Sequence, residues 1–151
     1  MLDIYIDADA CPVKEETYRV AKRYDLQVYV VSNSWMGTPD QGRVELVEVD
    51  DGLDAADDWI AERAGTGDIV LTADIPLAAR CLQRGAQVLG FKGRAFTDES
   101  IGAALASREL MSHLRELGEN TGGPAPLQRR DRSEFLNLID QVIQRIKRRK
   151  G

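Results

Sequence analysis

Short apolar runs alternate along the chain with amphipathic segments. Leu2 to Asp7 (LDIYID), Leu26 to Ser32 (LQVYVVS), Val44 to Val49 (VELVEV), Asp68 to Ala73 (DIVLTA) and Ala86 to Phe91 (AQVLGF) are rich in β-branched residues and short enough to be strands. The fourth, Asp68 to Ala73, is apolar throughout its centre, as in a parallel sheet covered on both faces. Between them lie segments of helical period. One opens at Cys11 and Pro12 and runs to about Tyr24, with proline early in the helix where its missing N–H costs nothing. A second spans Leu53 to Ala64, with Leu53, Ala56, Ile60 and Ala64 on one face and Asp50 or Asp51 as the expected cap. A third spans Ile75 to Arg84 and stops at Gly85.

Beyond the fifth strand, Asp98 is expected to cap a helix reaching about Leu117. A Gly/Pro-rich loop, Gly118 to Gln128, leads to a final helix over about 132–149. That helix would bury Phe135, Ile139, Val142 and Ile146, with Asp131 and Glu134 in a D-x-x-E capping arrangement. The alternation predicts a single α/β domain over 1–151: a mainly parallel five-stranded sheet flanked by helices, with an extra C-terminal helix.

Composition narrows the chemistry. The two cysteines, Cys11 and Cys81, form no C-x-x-C pair, which argues against a disulfide scaffold or a zinc site. The N-terminal apolar run carries charge and does not read as a signal peptide, and no stretch approaches the length of a membrane span. The expectation is a cytoplasmic protein that does not enter a membrane, its oligomeric state open. Charge is unevenly spread. Residues 1–100 hold 10 Lys+Arg against 19 Asp+Glu, and residues 101–151 hold 10 against 6. An acidic front half with a basic tail is not the basic stripe of a duplex-DNA binder; it suits an acidic metal site beside a basic substrate-gripping element, or simply solvated surface charge.

Two strands end in acid at the edge where α/β sheets carry their sites. The first ends D7-A-D9 and the fourth T72-A-D74. Small residues Ala8, Ala10 and Ala73 between the acids leave room for a ligand. Neighbouring carboxylates repel, so they hold a cation or a proton, and hard cations such as Mg²⁺ or Mn²⁺ prefer oxygen ligands. Asp7, Asp9 and Asp74 are thus candidate catalytic residues, with Asp7 and Asp74 candidate metal ligands. The alternative is capping: Asp9 for the helix at Pro12, Asp74 for the helix at Ile75. Asp54 and Asp57 are three apart on one helix face and are further candidate ligands, although acids are favoured in a first helical turn anyway.

Other features are less specific. Cys11 precedes a helix but has no base nearby, and the only histidine, His113, lies in a later helix. Tandem Gly122 and Gly123 in T121-G122-G123-P124 would expose backbone N–H groups, and Arg130 and Arg132 could clamp phosphate; a loop tied by surface ion pairs explains them equally well. The basic R145-x-K147-R148-R149-K150 end suits phosphate contact or a solvated helix end. Trp35, Phe91 and Phe96 suit base stacking or ordinary packing.

D7-A-D9-A-C11-P12, G52-x-D54-x-A56-D57, T72-A-D74-I-P-L-A and T121-G122-G123-P124…R130-D131-R132-x-x-F135, in that order, resemble the bacterial YaiI/YqxD-like family, also called DUF188 or UPF0178. The resemblance spans essentially the whole chain. That largely uncharacterised family is grouped with PIN-like domains, usually metal-dependent ribonucleases. It implies a PIN-like fold, with Asp7 as the acid ending the first strand, Asp74 as that of the T-x-D element, and Asp54 or Asp57 as the acid on the intervening helix. The nearest match to the further acid of PIN domains is Asp98, which also reads as a cap; Asp131 is distant along the chain. The expected function is a Mg²⁺- or Mn²⁺-dependent phosphodiesterase acting on RNA or another phosphate-bearing substrate. The alternatives are a non-catalytic RNA- or nucleotide-binding module, or an aspartyl-nucleophile phosphatase using D7-A-D9 with Lys92, although no matching acidic pair follows the fourth strand.

Overall fold

The run Asp3–Asp7 forms β1, and its three central residues are buried because both faces of the strand are covered. In the computed structural model, which describes residues 2–50, 52, 54–116 and 126–150, β1 is the middle strand of five. The others are β2 (Gln27–Ser32), β3 (Arg43–Glu48), β4 (Ile69–Leu71) and β5 (Gln87–Leu89). They lie in the order β3-β2-β1-β4-β5, and every pairing between strands is parallel. The sheet is the five-stranded one expected, and fully rather than mainly parallel.

Alternation within β1 divides the core. Ile4 and Ile6 face α1 (Lys14–Tyr24) and α5 (Arg129–Lys150), whose Val20, Phe135, Ile139 and Ile143 complete one apolar layer. Tyr5 faces α2 (Ala55–Arg63), α3 (Ile75–Gln83) and α4 (Asp98–Glu116), through Ile60, Leu77 and Ile101. The last helix therefore docks on its own core along the apolar stripe anticipated at Phe135, Ile139, Val142 and Ile146.

Several boundaries differ from expectation for local reasons. Residues Ala8–Ala10 form a 3₁₀ turn, and α1 starts at Lys14, two residues after Pro12. The Lys14 ammonium explains the delay: it donates to the carbonyls of Cys11 at 2.8 Å and Ala8 at 3.3 Å, holding the turn closed. Asp54 rather than Asp50 is the N-cap residue of α2; Asp51 and Leu53 lie outside the described residues. At α4 the cap is Thr97, not Asp98. Its Oγ1 accepts from the Ser100 N–H while Ser100 Oγ accepts from the Thr97 N–H, a reciprocal capping box. α5 starts three residues earlier than expected. Asp131 lies inside its first turn and reaches back to accept from the Gln128 N–H at 2.9 Å, which replaces the D-x-x-E arrangement. α3 ends as expected before Gly85, which has a positive φ of 89°.

Two contacts fix the start of α5. Arg132 donates to the buried Glu16 carboxylate and to the Pro12 carbonyl, each at 2.8 Å. Gly93, in the turn after β5, has φ +89°, and a Cβ there would stand 2.6 Å from Glu134 Cβ and 2.9 Å from the Glu134 carbonyl carbon. The helix backbone leaves no room for a side chain. Gly93→Ala therefore combines backbone strain with overpacking and should lower stability by about 1–3 kcal/mol. A urea titration checks this, and an unchanged midpoint would show that the turn and α5 are not in firm contact.

Candidate functional site

The strand order reverses direction at β1: the chain leaves it for β2 on one side and returns to β4 on the other. Crevices in α/β sheets open at such a switch point, beyond the carboxyl ends of the strands. β1 ends at Asp7. Ile6 is in register with Leu71, so Asp7 stands beside Thr72, the residue after β4.

Thr72 is fully buried and its hydroxyl is the hub of the rim. It donates to Asp7 Oδ2 at 2.7 Å and accepts from the Asp74 N–H at 2.9 Å. Asp74 caps α3, its Oδ1 accepting from the Leu77 N–H at 3.0 Å. Capping and rim placement are thus compatible for Asp74. Asp9 does not cap α1. The 3₁₀ turn carries it toward β2, where Oδ1 accepts from the Ser32 hydroxyl at 2.7 Å and Oδ2 from the Asn33 N–H at 3.3 Å.

The third side of the crevice is α2. Trp59 anchors it to the sheet against Tyr5 and Tyr29, with ring centroids 6.0 and 5.8 Å apart. This brings Asp54 and Asp57 to the rim. Asp7, Asp9, Asp54, Asp57 and Asp74, together with Asn33, Ala10, Ala73 and Phe91, line one cleft of about 450 Å³. All five aspartates singled out from the sequence are brought together.

The acids feel one another. The Asp57 carboxyl is pushed up to about 6, first by burial and then by the charges of Asp74, Asp7 and Asp54, with Arg80 opposing. Burial also raises Asp7; its bond from Thr72 opposes the shift, and Asp74 and Asp9 add to it. The donor set is one of hard carboxylate oxygens. Among the described residues, however, no three His, Cys, Asp or Glu side chains converge closely enough to hold a metal ion by themselves. Asp7 and Asp74 each spend one oxygen on the protein and keep the other for a ligand.

The other sequence candidates lie elsewhere. Arg130 and Asp131 line a neighbouring groove, while Arg132 is engaged by Glu16. Thr121, Gly122 and Gly123, and the His113 side chain, lie outside the described residues. Asp98 is exposed in the first turn of α4 and is not among the cleft-lining residues. Cys11 and Cys81 are buried free thiols, each raised by burial to about 11, so neither is poised as a nucleophile. Sequence reasoning missed Thr72, Ser32 and Lys14 as rim-shaping residues. A polar residue closing an apolar strand, as Thr72 and Ser32 both do, was the available signal.

The family model described as "Uncharacterized BCR, YaiI/YqxD family" matches residues 5–145. The chain belongs to this family. Among YaiI/YqxD relatives, the UPF0178 protein RC1_2062 of Rhodospirillum centenum is 59% identical, covering 98% of this chain and 99% of its own. The UPF0178 protein of Nitrobacter winogradskyi is 56% identical over 96% of this chain and 92% of its own. That of Caulobacter sp. is 54% identical over 98% of each. No solved structure matches significantly.

The raised Asp57 carboxyl has a measurable consequence. The folded protein keeps this proton to about pH 6, whereas an aspartate in an unfolded chain releases it near 3.8. Native protein binds the extra proton between these limits, so this contribution to stability is full below about pH 4 and is lost as pH rises through 6. Asp57→Asn should flatten that window and stabilise the protein at pH 7 by about 1 kcal/mol, solvent screening keeping the gain below the full shift. Thermal melts of both proteins across pH 4–8 check it; parallel curves would remove Asp57 from the mutual repulsion.

Proposed function

We propose that the cleft is the active site of a divalent-cation-dependent phosphodiester hydrolase, a PIN-like ribonuclease. The observation that carries this reading is the position of Asp7 and Asp74 at the switch point of a parallel sheet, facing Asp57 across a cleft open to substrate. A five-stranded parallel sheet and the family membership are consistent with it. Mg²⁺ is commonly bound through one or two carboxylates, with waters and substrate phosphate completing its shell, so a three-acid cage is not required. Asp7 and Asp74 would hold the ion, with Asp57 or Asp54 beside it. When bound, such an ion would polarise the phosphate and make a bound water more acidic.

The remaining roles belong to the chain. Thr72 holds Asp7, which lines the cleft, by one oxygen. Leu77 N–H does the same for Asp74, so neither acid has to be ordered when substrate arrives. Asp9, held by Ser32 and Asn33, stands at the cleft wall, where it can orient a water or take a proton from one. Asp57, holding its proton to about pH 6, joins the anionic set only above that value. The aspartyl-nucleophile alternative is less well supported: Lys92 lines the neighbouring groove and not the acid cleft.

Single-stranded RNA should be cut in Mn²⁺ and spared in EDTA. Asp7→Asn and Asp74→Asn should each lower the rate at least ~100-fold, the scale of losing a group that stabilises transition-state charge. Gel analysis of end-labelled RNA checks this. Equal cleavage by wild type and both variants would sink the reading, and binding without cleavage would favour the non-catalytic module. Thr72→Val leaves both acids present but unties Asp7, and should cost about 10-fold. Mn²⁺ should also raise the melting temperature of the wild type more than that of Asp7→Asn.

A further inference from the structure

The acid cleft does not end at Phe91. A second groove of about 890 Å³ begins there and shares Ala10, Ala73 and Phe91 with the first. Its character is opposite. Lys92, Arg94 and Arg130 line it, with Phe91 and Phe96 supplying aromatic surface. Two acids also line it, Asp131 and Glu134, and Asp131 is occupied by the Gln128 N–H. Among the described residues neither Arg94 nor Arg130 is paired with a carboxylate.

The turn after β5 presents these groups in a fixed arrangement. The Gly90 N–H donates to the Arg94 carbonyl at 2.9 Å, and the Phe96 N–H to the Val88 carbonyl at 2.8 Å. Leu89 and Ala95 pair antiparallel between them. Gly93 closes the turn against Glu134 of α5. Phe91 packs partly on the core and Phe96 partly on the opposite apolar layer, so both are held from behind while lining the groove.

We propose that this groove seats the nucleotides flanking the scissile phosphate of a single-stranded nucleic acid, a base lying on Phe91 or Phe96 and the adjoining phosphates against Arg94 and Arg130. The proposal rests on the reading of the acid cleft as a phosphodiester-cleaving site. The chemistry of the two grooves together selects the occupant. The arginines ask for anions at intervals and the phenylalanines ask for flat apolar faces, which a single strand offers in alternation. A duplex keeps its base faces stacked away from such a surface, and an acidic peptide would leave the rings unmatched.

The test separates this proposal from the hydrolase reading by measuring binding in EDTA, where no cleavage occurs. A fluorescein-labelled ten-nucleotide RNA is titrated with full-length protein and followed by anisotropy over a range of salt. Phe91→Leu keeps the apolar bulk and removes the ring; it should weaken binding by about 5- to 100-fold, the range for a lost stacked base. Arg94→Gln and Arg130→Gln sit at exposed positions and should each reduce the salt slope by about 0.7. The same sequence as a duplex should bind more weakly, and poly-glutamate should compete poorly. Urea midpoints confirm that each variant is folded. No binding by the wild type, binding within two-fold of wild type for all three variants, or equal competition by duplex or poly-glutamate would overturn the proposal. Phe91-dependent binding without Mn²⁺-dependent cleavage would leave the groove standing and remove the hydrolase. Asp7-dependent cleavage with binding indifferent to all three variants would do the reverse.

Discussion

β1 is hydrogen-bonded along both edges and covered on both faces, so no part of its middle can meet water. Carboxylates are therefore excluded from the positions of Ile4, Tyr5 and Ile6 and allowed only where the strand runs out. β4 is under the same constraint, its three residues all buried. Two apolar strands side by side, each released to polar residues at the same level, bring Asp7 and the T72-A-D74 segment together with little further instruction. The helices follow from this arrangement. α1 and α5 cover one face, and α2, α3 and α4 the other.

Crowding five carboxylates around one cleft opposes folding, and the structure shows how the repulsion is managed. Thr72, Ser32, and the Asn33 and Leu77 amides each donate to an acid, so donors from the ends of β2 and β4 and from the first turn of α3 share the charge. Among the described residues Asp57 has no such donor, and burial with the neighbouring charges holds its proton to about pH 6. An arrangement held under electrostatic strain in this way is a common mark of a functional site, because a site optimised for stability alone would not keep it.

The strands, helices and acid-bearing strand ends were legible because each depends on local pattern: buried runs, helical period, and the points where they stop. What was not legible depends on distant partners. Asp9 reads as either a site acid or a helix cap until Ser32, 23 residues away, takes its carboxylate and removes the cap. Arg132 reads as a phosphate clamp until buried Glu16, 116 residues away, engages it. Asp54 and Asp57 both stayed open as ligands, because spacing alone cannot tell a left-handed cap residue at φ 67° from a first-turn residue. Thr97 and Asp98 are both good caps, and only the reciprocal bonds with Ser100 distinguish them. The groove beside Phe91 was missed as a unit, since its two walls come from the turn after β5 and the start of α5.

The Thr72 hydroxyl has only one hydrogen. With the Asp74 amide pointing at its oxygen, that hydrogen goes to Asp7 Oδ2. An oxygen already receiving a proton from Thr72 is a poor place for another. A proton that Asp7 acquires is therefore favoured on Oδ1. Protonation at this residue is thereby directional: a single buried threonine makes the two oxygens of its neighbour unequal, favouring the one it does not bond for exchange of protons.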